Sequence, residues 1–400
     1  MKLSVAMQIL FWASAGEIAY VYFGYPLLLK MHILGRRTEL ARQALLPSIS
    51  VIVPAHNEES TIEWKLQSLI DADYPRELVE ILVGSDGSSD KTEDVVRRFH
   101  HEGVGLISFP RQQGKSAMQN GLVAVASGEI LVFTDADSAF PPTALRQITE
   151  NFADSRVGLV TAHAEYSNAN ETGVADNESL YLRYDTRLRE LESECGILAM
   201  ASGSLFAMRR SLWQPLDPAL GDDFVLPLRV AAAGLFNVID PRVAAITYLD
   251  QNRPVSMLRM KIRIISKDLR ALLTHRNLLN PIRHPGIALG LWSHKLLRWL
   301  VSYFLLALFA SSTLLVRQPF FQAVWWLQVW FYGLAAFGTL RPAGARRPWS
   351  IPASFCLVNA AALAGSVKCF AGKTSGKWQT ARTQATPLRE TSNLPLRQSK

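Results

Sequence analysis

Apolar residues crowd two stretches of this chain, 3–29 and 296–371, and the sequence between them alternates short apolar runs with amphipathic segments. Two solvents are implied, lipid for the ends and water for the middle. From Val5 to Leu29 the one charge is Glu17, and the run is long enough to cross the ~30 Å hydrocarbon core with some tilt. Ala13-Ser14-Ala15 has the look of a leader-cleavage site, but Ile18–Leu29 stays apolar where a mature secreted chain would begin, so residues 1–35 are expected to keep an N-terminal transmembrane helix. Residues 296–316, 320–340 and 351–371 are further candidates, interrupted by Arg317-Gln318-Pro319 and by residues 341–348. The last carries Asn359 and Lys368 and is the weakest, so two or three C-terminal transmembrane helices are expected over 296–371. Residues 372–400 have the polar, Thr/Ser/Gln-rich composition of a disordered basic tail.

In the middle, Ile49–Val53, Glu80–Gly84, Gly105–Phe109, Ile130–Thr134 and Gly158–Ala164 read as strands. Helical stretches near Ser60–Ala72, Asp90–His101, Lys115–Ser127 and Pro142–Phe152 separate them. Such alternation predicts right-handed βαβ units and an α/β domain over 47–256 with a doubly wound, mostly parallel sheet, whose ligands bind at the carboxyl ends of the strands. Residues 257–295 follow as an interfacial amphipathic segment. Within it Leu258, Ile262, Ile265, Leu269 and Leu272 form one helical stripe beside Arg259, Arg263 and Arg270, which predicts a helix lying on the membrane surface. An amphipathic helix packed on the domain with a solvated basic edge is the blander alternative.

Charge sharpens this layout. The chain has 42 basic and 34 acidic residues, net +8, yet no zinc-finger, helix-turn-helix or RNA-binding signature accompanies the excess, so nucleic acid is not an expected partner. Lys30, Arg36, Arg37 and Arg42 follow the first apolar run, the bias found where a helix leaves the membrane on the cytoplasmic side. Cys195, Cys356 and Cys369 lack metal-site or disulfide spacing and read as small buried hydrophobes in a reducing compartment.

Polar residues at the strand ends carry the candidate chemistry. Residues 54–59, Pro-Ala-His-Asn-Glu-Glu, follow the first strand and Ser85-Asp86-Gly87-Ser88 follows the second; taken singly, each is as well explained by turns and helix caps. After the fourth strand, Asp135 and Asp137 stand two apart on extended backbone, so both can face one hard cation. Arg111 to Ser116 offers a flexible cationic loop beside a helix start, suited to phosphate or ribose, though not with Walker A spacing. Asp222 and Asp223 are adjacent carboxylates, an arrangement that raises the pKa of one and suits a general base.

Taken together and in order, these pieces resemble the membrane-bound family-2 inverting glycosyltransferases, the group that includes cellulose, hyaluronan and chitin synthases. The resemblance runs over about Pro47–Arg270 and rests also on Gly114-Lys115 with Asn120, Ser202-Gly203-Ser204, Arg209-Arg210 and Gly221-Asp222-Asp223. It implies a glycosyltransferase A-type fold and places Ala55, Glu58 and Asp86 at the nucleotide base and ribose, with Lys115 near the donor. Asp135 and Asp137 fall at a divalent metal, Mg2+ or Mn2+, and at the diphosphate. Asp223 is implied as the base with Asp222 in support, Gly203 as part of the acceptor loop, and Arg259 and Arg263 as facing the donor diphosphate. The expected partners are a nucleotide-sugar donor of the UDP-sugar kind, a glycan or lipid-linked acceptor, membrane lipid, and an oligomer or synthase partner. The expected place is the plasma (inner) membrane, multi-pass, with the catalytic domain cytoplasmic. Two departures stand out: one aspartate at Ser85-Asp86, where relatives often have two, implies a donor contact absent or replaced, and residues 259–264 in place of the Gln-x-x-Arg-Trp signature of processive members weaken the polymerising role. A single transfer to a lipid, or a silent scaffold of the same fold, are the competing readings.

Overall fold

The computed structural model describes residues 2–35, 40–166, 173–247, 254–339 and 349–372. The predicted basic tail from Lys373 onward, Arg36 and Arg37, and the break at 341–348 lie outside the described residues. In chain order the elements are α1 (Lys2–Ala19), α2 (Tyr25–Gly35), β1 (Ile49–Ala55), α3 (Ile62–Ile70), β2 (Val79–Asp86), α4 (Thr92–Arg98), β3 (Val104–Phe109), α5 (Lys115–Val125), β4 (Ile130–Thr134) and α6 (Ala144–Glu150). Then come β5 (Val157–Tyr166), α7 (Gly173–Glu194), β6 (Leu205–Arg209), α8 (Asp222–Ala232), β7 (Phe236–Thr247), α9 (Pro254–Thr274), α10 (Pro285–Gly290), α11 (Leu297–Leu314), α12 (Pro319–Thr339) and α13 (Ser350–Phe370).

The strands form one seven-stranded sheet in the order β3-β2-β1-β4-β6-β5-β7. β1 pairs parallel with β2 and β4, β2 with β3, and β5 with β7; β6 runs antiparallel between β4 and β5. All five predicted strands are present and the sheet is mostly parallel, but β6 and β7 were not foreseen. β6 is short, and Pro241 inside β7 removes a ladder donor. The register between Ala162–Asp240 and His163–Ala244 skips the Pro241–Val243 stretch, which is how the strand tolerates it.

Alternation along each central strand builds two cores, one on each face. Ile49, Val51 and Val53 of β1 with Ile130 and Val132 of β4 pack under α3, α4 and α6. Ile52, Leu131 and Phe133 face the other way, onto Met118 and Leu122 of α5 and the apolar side of α8. Phe133 stacks on Phe206 at 4.8 Å and on Trp213 at 5.5 Å, closing the seam where the antiparallel strand enters.

The second core continues into α9 and α11 through Leu269, Leu272, Leu291 and Trp299. Here the surface-helix expectation needs correction. The lower half of the predicted stripe, Leu269 and Leu272, is buried in the domain core, and Ile265 meets α13 at Gly365, where an added Cβ would stand 3.0 Å from the isoleucine. Among the described side chains the exposed large apolar positions of α9 are Met260, Ile264 and Leu273, so the lower half of the stripe serves packing between domain and helices.

Among the described residues, three helical runs are long and apolar enough to cross a membrane: Leu3–Ile33, Pro285–Leu314 and Ser350–Phe370. The second starts at Pro285, ahead of the predicted 296, because α10 runs through a π-helical turn at Leu291–Leu296 into α11. The third, expected to be the weakest, is among them; its Asn359 amide donates to the Phe355 carbonyl at 2.9 Å, which satisfies the polar group within its own helix. α12 is as long, but is not one of the three. The ends of the chain meet: Phe11 of α1 lies edge-on to Phe321 of α12 at 4.9 Å, and Tyr20 reaches Ser293 at 2.8 Å. Tyr25 of α2 donates to Glu192 of α7 at 2.8 Å, and Glu192 also holds His294 at 2.8 Å. Asp185 joins the same joint through Arg189 at 2.6 Å and Arg298 at 2.9 Å.

Gly128, just before β4, is an enforced glycine. An added Cβ would lie 2.4 Å from the Ser50 nitrogen and 2.5 Å from the Ile49 carbonyl carbon, both backbone atoms that cannot swing away. Gly128→Ala is expected to force β4 from β1 and destabilise the domain by about 2 kcal/mol or more. A lowered melting temperature of the purified variant checks this, and an unchanged one contradicts it.

Candidate active site

At the carboxyl ends of β1 and β2 the two loops are locked to each other. His56 Nδ1 donates to the Asp86 carbonyl at 2.7 Å, and Asn57, held in the left-handed region at φ 56°, accepts from the Ser89 amide at 2.8 Å. The Glu58 carboxylate accepts from the Thr61 hydroxyl at 2.7 Å, its amide donates to Thr92 Oγ1 at 2.8 Å, and Ala55 is fully buried beside them. Asp86 is fully buried too, and its two oxygens accept from the amides of Gln113 and Gly114 at 2.7 and 2.9 Å. Its carboxylate therefore holds the 111–114 loop in place, a task the sequence did not suggest.

That loop delivers Lys115 to the first turn of α5. Lys115 Nζ lies 2.8 Å from Asp135 Oδ1 and 3.2 Å from Asp222 Oδ2, bridging the end of β4 to the start of α8. Gln119, one turn further along α5, donates to Asp222 Oδ2 at 2.6 Å. Burial works against the Lys115 charge, yet Asp135 and Asp222 outweigh it and hold the ammonium well above its ordinary range. Asp222 is likewise penalised by burial, but Lys115 and Gln119 keep it below the ordinary carboxylate value. Asp223 goes the other way: burial raises it and the neighbouring charge of Asp222 raises it further. Two adjacent carboxylates are thus driven apart in proton affinity, with Asp222 buried and Asp223 half-exposed to the cleft.

Gly203 lines the same space. A Cβ there would stand 3.5 Å from Asp135 Oδ2 and 3.8 Å from Lys115 Nζ, so the loop before β6 comes into contact with the Asp135–Lys115 pair. Asp135 and Asp137 are both half-exposed. Among the described residues no group of three or more His, Cys, Asp or Glu converges as a metal cage. A pair of carboxylates alone suits a hard cation that takes its remaining oxygen ligands from a bound diphosphate, so the donor set fits Mg2+ or Mn2+.

α9 supplies the far wall. Arg263 is half-buried; burial lowers its pKa while the charge of Asp223 pulls it back up, so it faces the cleft. Arg259, one turn earlier, is exposed and is not brought to the site. Lys267 and Asp268 were missed. Burial lowers the Lys267 ammonium, with Arg263 adding to the effect and Asp222 and Asp223 opposing it. Burial raises Asp268 to about 7, with Lys295 pulling down and Asp223 pushing up. Asp268 gave no signal in the sequence, but Lys267 did, since the position four after Arg263 continues the same helical face. Gln119 stands in the same relation to Lys115.

Residues 50–215 match the model of Glycosyl transferase family 2. The chain is 30% identical over 218 residues to the probable glycosyltransferase YdaM of Bacillus subtilis (strain 168), covering 51% of this chain and 50% of that protein. It is 26% identical over 228 residues to the beta-monoglucosyldiacylglycerol synthase of Trichormus variabilis, covering 54% and 47%. The chain thus spans about half the length of the curated relatives it matches. Among solved structures it superposes on the mannosyltransferase PcManGT from Pyrobaculum calidifontis, in complex with GDP-Man and Mn2+, with a TM-score of 0.71 and 23% identity, covering 91% of this chain and 99% of that one. That likeness is one of fold, and it includes the flanking helices. The ordered motifs, the sheet that gathers them at its carboxyl edge and the match over 50–215 lead to one conclusion: residues 50–215 match glycosyl transferase family 2, on a sheet of the glycosyltransferase A-type fold.

Proposed function

We propose that the protein is an inverting glycosyltransferase that moves a sugar from a nucleotide-diphosphate donor to a glycan or lipid-linked acceptor at the cytoplasmic face of the inner membrane, in polysaccharide biosynthesis. The observation that carries this reading is the split pair Asp222/Asp223 held by Lys115 beside Asp135. Inversion needs a single displacement: the acceptor oxygen bonds to the anomeric carbon as the carbon–phosphate-oxygen bond breaks, the hydroxyl proton passes to a base, and the bonding pair leaves with the diphosphate. Asp223, raised in proton affinity and half-exposed, is the group that takes the proton. Asp222 stays ionised under Lys115 and Gln119 and so keeps its neighbour's affinity high. Arg263 and Lys267 receive the negative charge of the departing diphosphate from the α9 side. Ala55, Glu58 and the loop that Asp86 fixes form the nucleotide end. Asp137, with Asp135 in support, would hold a divalent cation, which when bound neutralises diphosphate charge. The GDP-Man and Mn2+ in the mannosyltransferase of the same fold support that choice of donor class and ion.

A second reading, single transfer to a lipid, is favoured by one observation. α9 and α11 pack into the domain core and α13 packs on α9, and a beta-monoglucosyldiacylglycerol synthase stands among the relatives. Product length with labelled nucleotide sugars separates the two readings.

Asp223→Asn is expected to lower transfer about a hundredfold to ten-thousandfold while donor binding survives. In the wild type the acid limb of the pH profile is expected above the ordinary aspartate value of about 4, because the base must be unprotonated and its affinity is raised. Loss of donor binding in a folded Asp223→Asn protein would move this residue into the nucleotide site.

Removing divalent metal with EDTA, or substituting Asp137→Ala, is expected to abolish turnover, with Mn2+ or Mg2+ restoring only the wild type. Full turnover in either case contradicts the assignment.

For topology, the N-terminus is expected outside and residues 36–295 inside, where nucleotide sugars are made. Alkaline phosphatase fused after Asp250 is expected to be inactive in intact cells; an active fusion would exclude the donor argument altogether.

A further inference from the structure

Lys65 is a cation that no step above uses, and it stands where an apolar residue belongs. Ile62, Leu66 and Leu69 form the inward stripe of α3 against the sheet, and Lys65 falls on that stripe with no exposed surface at all. A lysine so deep has lost its hydration and persists only where fixed acceptors replace water. Its Nζ donates to Thr134 Oγ1 at 2.7 Å, to the Ser138 carbonyl at 2.9 Å and to Ser138 Oγ at 3.4 Å, and it lies 4.2 Å from the centre of the Phe140 ring. All three acceptors belong to the turn that carries Asp135 and Asp137. The same turn is tied across the seam to the loop before β6, because Thr134 Oγ1 donates to the Ser204 carbonyl at 2.8 Å. Ser138 Oγ lies 2.9 Å from that carbonyl and 2.9 Å from the carbonyl of Asp135.

The direction of these bonds follows from the lysine. In its charged form the ammonium only donates, so the Thr134 oxygen accepts from it, and the hydroxyl proton of Thr134 goes to the Ser204 carbonyl at 2.8 Å or to Ser138 Oγ at 3.0 Å. Burial lowers the Lys65 ammonium and the charge of Asp135 offsets only part of that, leaving it at about 7.

We infer that Lys65 is a positioning residue, which fixes the Asp135–Asp137 turn and the Ser202–Ser204 loop in one register and thereby sets the spacing between the cation-holding carboxylates and the acceptor side of the cleft. The roles of those two loops rest on the function proposed above; the mechanical coupling between them does not.

The test is amide hydrogen exchange on the full chain in lipid nanodiscs, comparing wild type with Lys65→Met and with Thr134→Val, which removes the relaying hydroxyl at nearly constant shape. Exchange in both 134–139 and 202–206 is expected to quicken about tenfold or more in each variant, while residues 81–85 of β2 keep wild-type protection. In the same samples the Mn2+ concentration that half-saturates UDP or GDP binding is expected to rise, with metal-free nucleotide binding unchanged. Unaltered exchange in either loop of a folded Lys65→Met protein overturns the inference, and so does an even loosening of the whole sheet, which would make the lysine a core filler. Should Lys65→Met fail to fold, Thr134→Val decides alone: unchanged exchange at 202–206 overturns the coupling. If the wild type binds neither nucleotide nor Mn2+, the proposed function falls while the exchange comparison still decides the role of Lys65.

Discussion

One ammonium, that of Lys115, stands between the carboxylates of Asp135 and Asp222, and the arrangement of the cleft depends on it. Asp135 comes from a different part of the chain than the adjacent Asp222 and Asp223, and without a cation among them the three would repel one another in a partly buried site. Holding that cation needs a fixed helix start, which is why Asp86 uses both of its oxygens on the Gln113 and Gly114 amides. The difference between Asp222 and Asp223 is then a consequence of placement: one lies against Lys115 and Gln119, the other opens to the cleft.

The antiparallel strand explains how two halves of a sheet share this centre. In a purely parallel sheet, the loop entering a strand lies at the amino edge, far from the ligand side. Because β6 runs backwards beside β4, its entering loop, Ser202–Ser204, reaches the carboxyl edge next to the Asp135 turn. Stacked Phe133, Phe206 and Trp213 hold the seam on one face, and alternation of Leu205 and Ala207 with Phe206 and Met208 lets the reversed strand serve both cores.

Much of this was legible in the sequence. The five parallel strands announce themselves by β-branched runs at regular spacing, and the polar clusters that end them mark the carboxyl edge. The adjacent pair at Asp222 and Asp223 foretold a raised pKa because like charges that close cannot both ionise freely. What was hidden depends on partners distant in sequence. Asp86 bonds to backbone amides, which leave no side-chain signature. The stripe on α9 reads the same whether lipid, α13 or the domain core covers it, and Gly365 is too plain a residue to announce the close approach. Arg259 and Arg263 looked equivalent by period, but only the second lies deep enough along the helix to meet Asp223. Lys65 could have been noticed as a charge on an apolar stripe, although its acceptors could not.

The joint between the two ends of the chain has a consequence for the order of assembly. α1 and α2 precede the sheet in the chain, yet Phe11, Tyr20 and Tyr25 find their partners in α12, in the turn leading into α11 and in α7. During synthesis every strand can be made and paired before α11 and α12 exist, so the domain matures inside an open clasp. Closing it requires contacts of very large sequence separation, the slowest kind to form. The leading helix must therefore endure a period alone, its Tyr25 hydroxyl without Glu192 until α7 is made and its Tyr20 without Ser293 until nearly the whole domain has been translated.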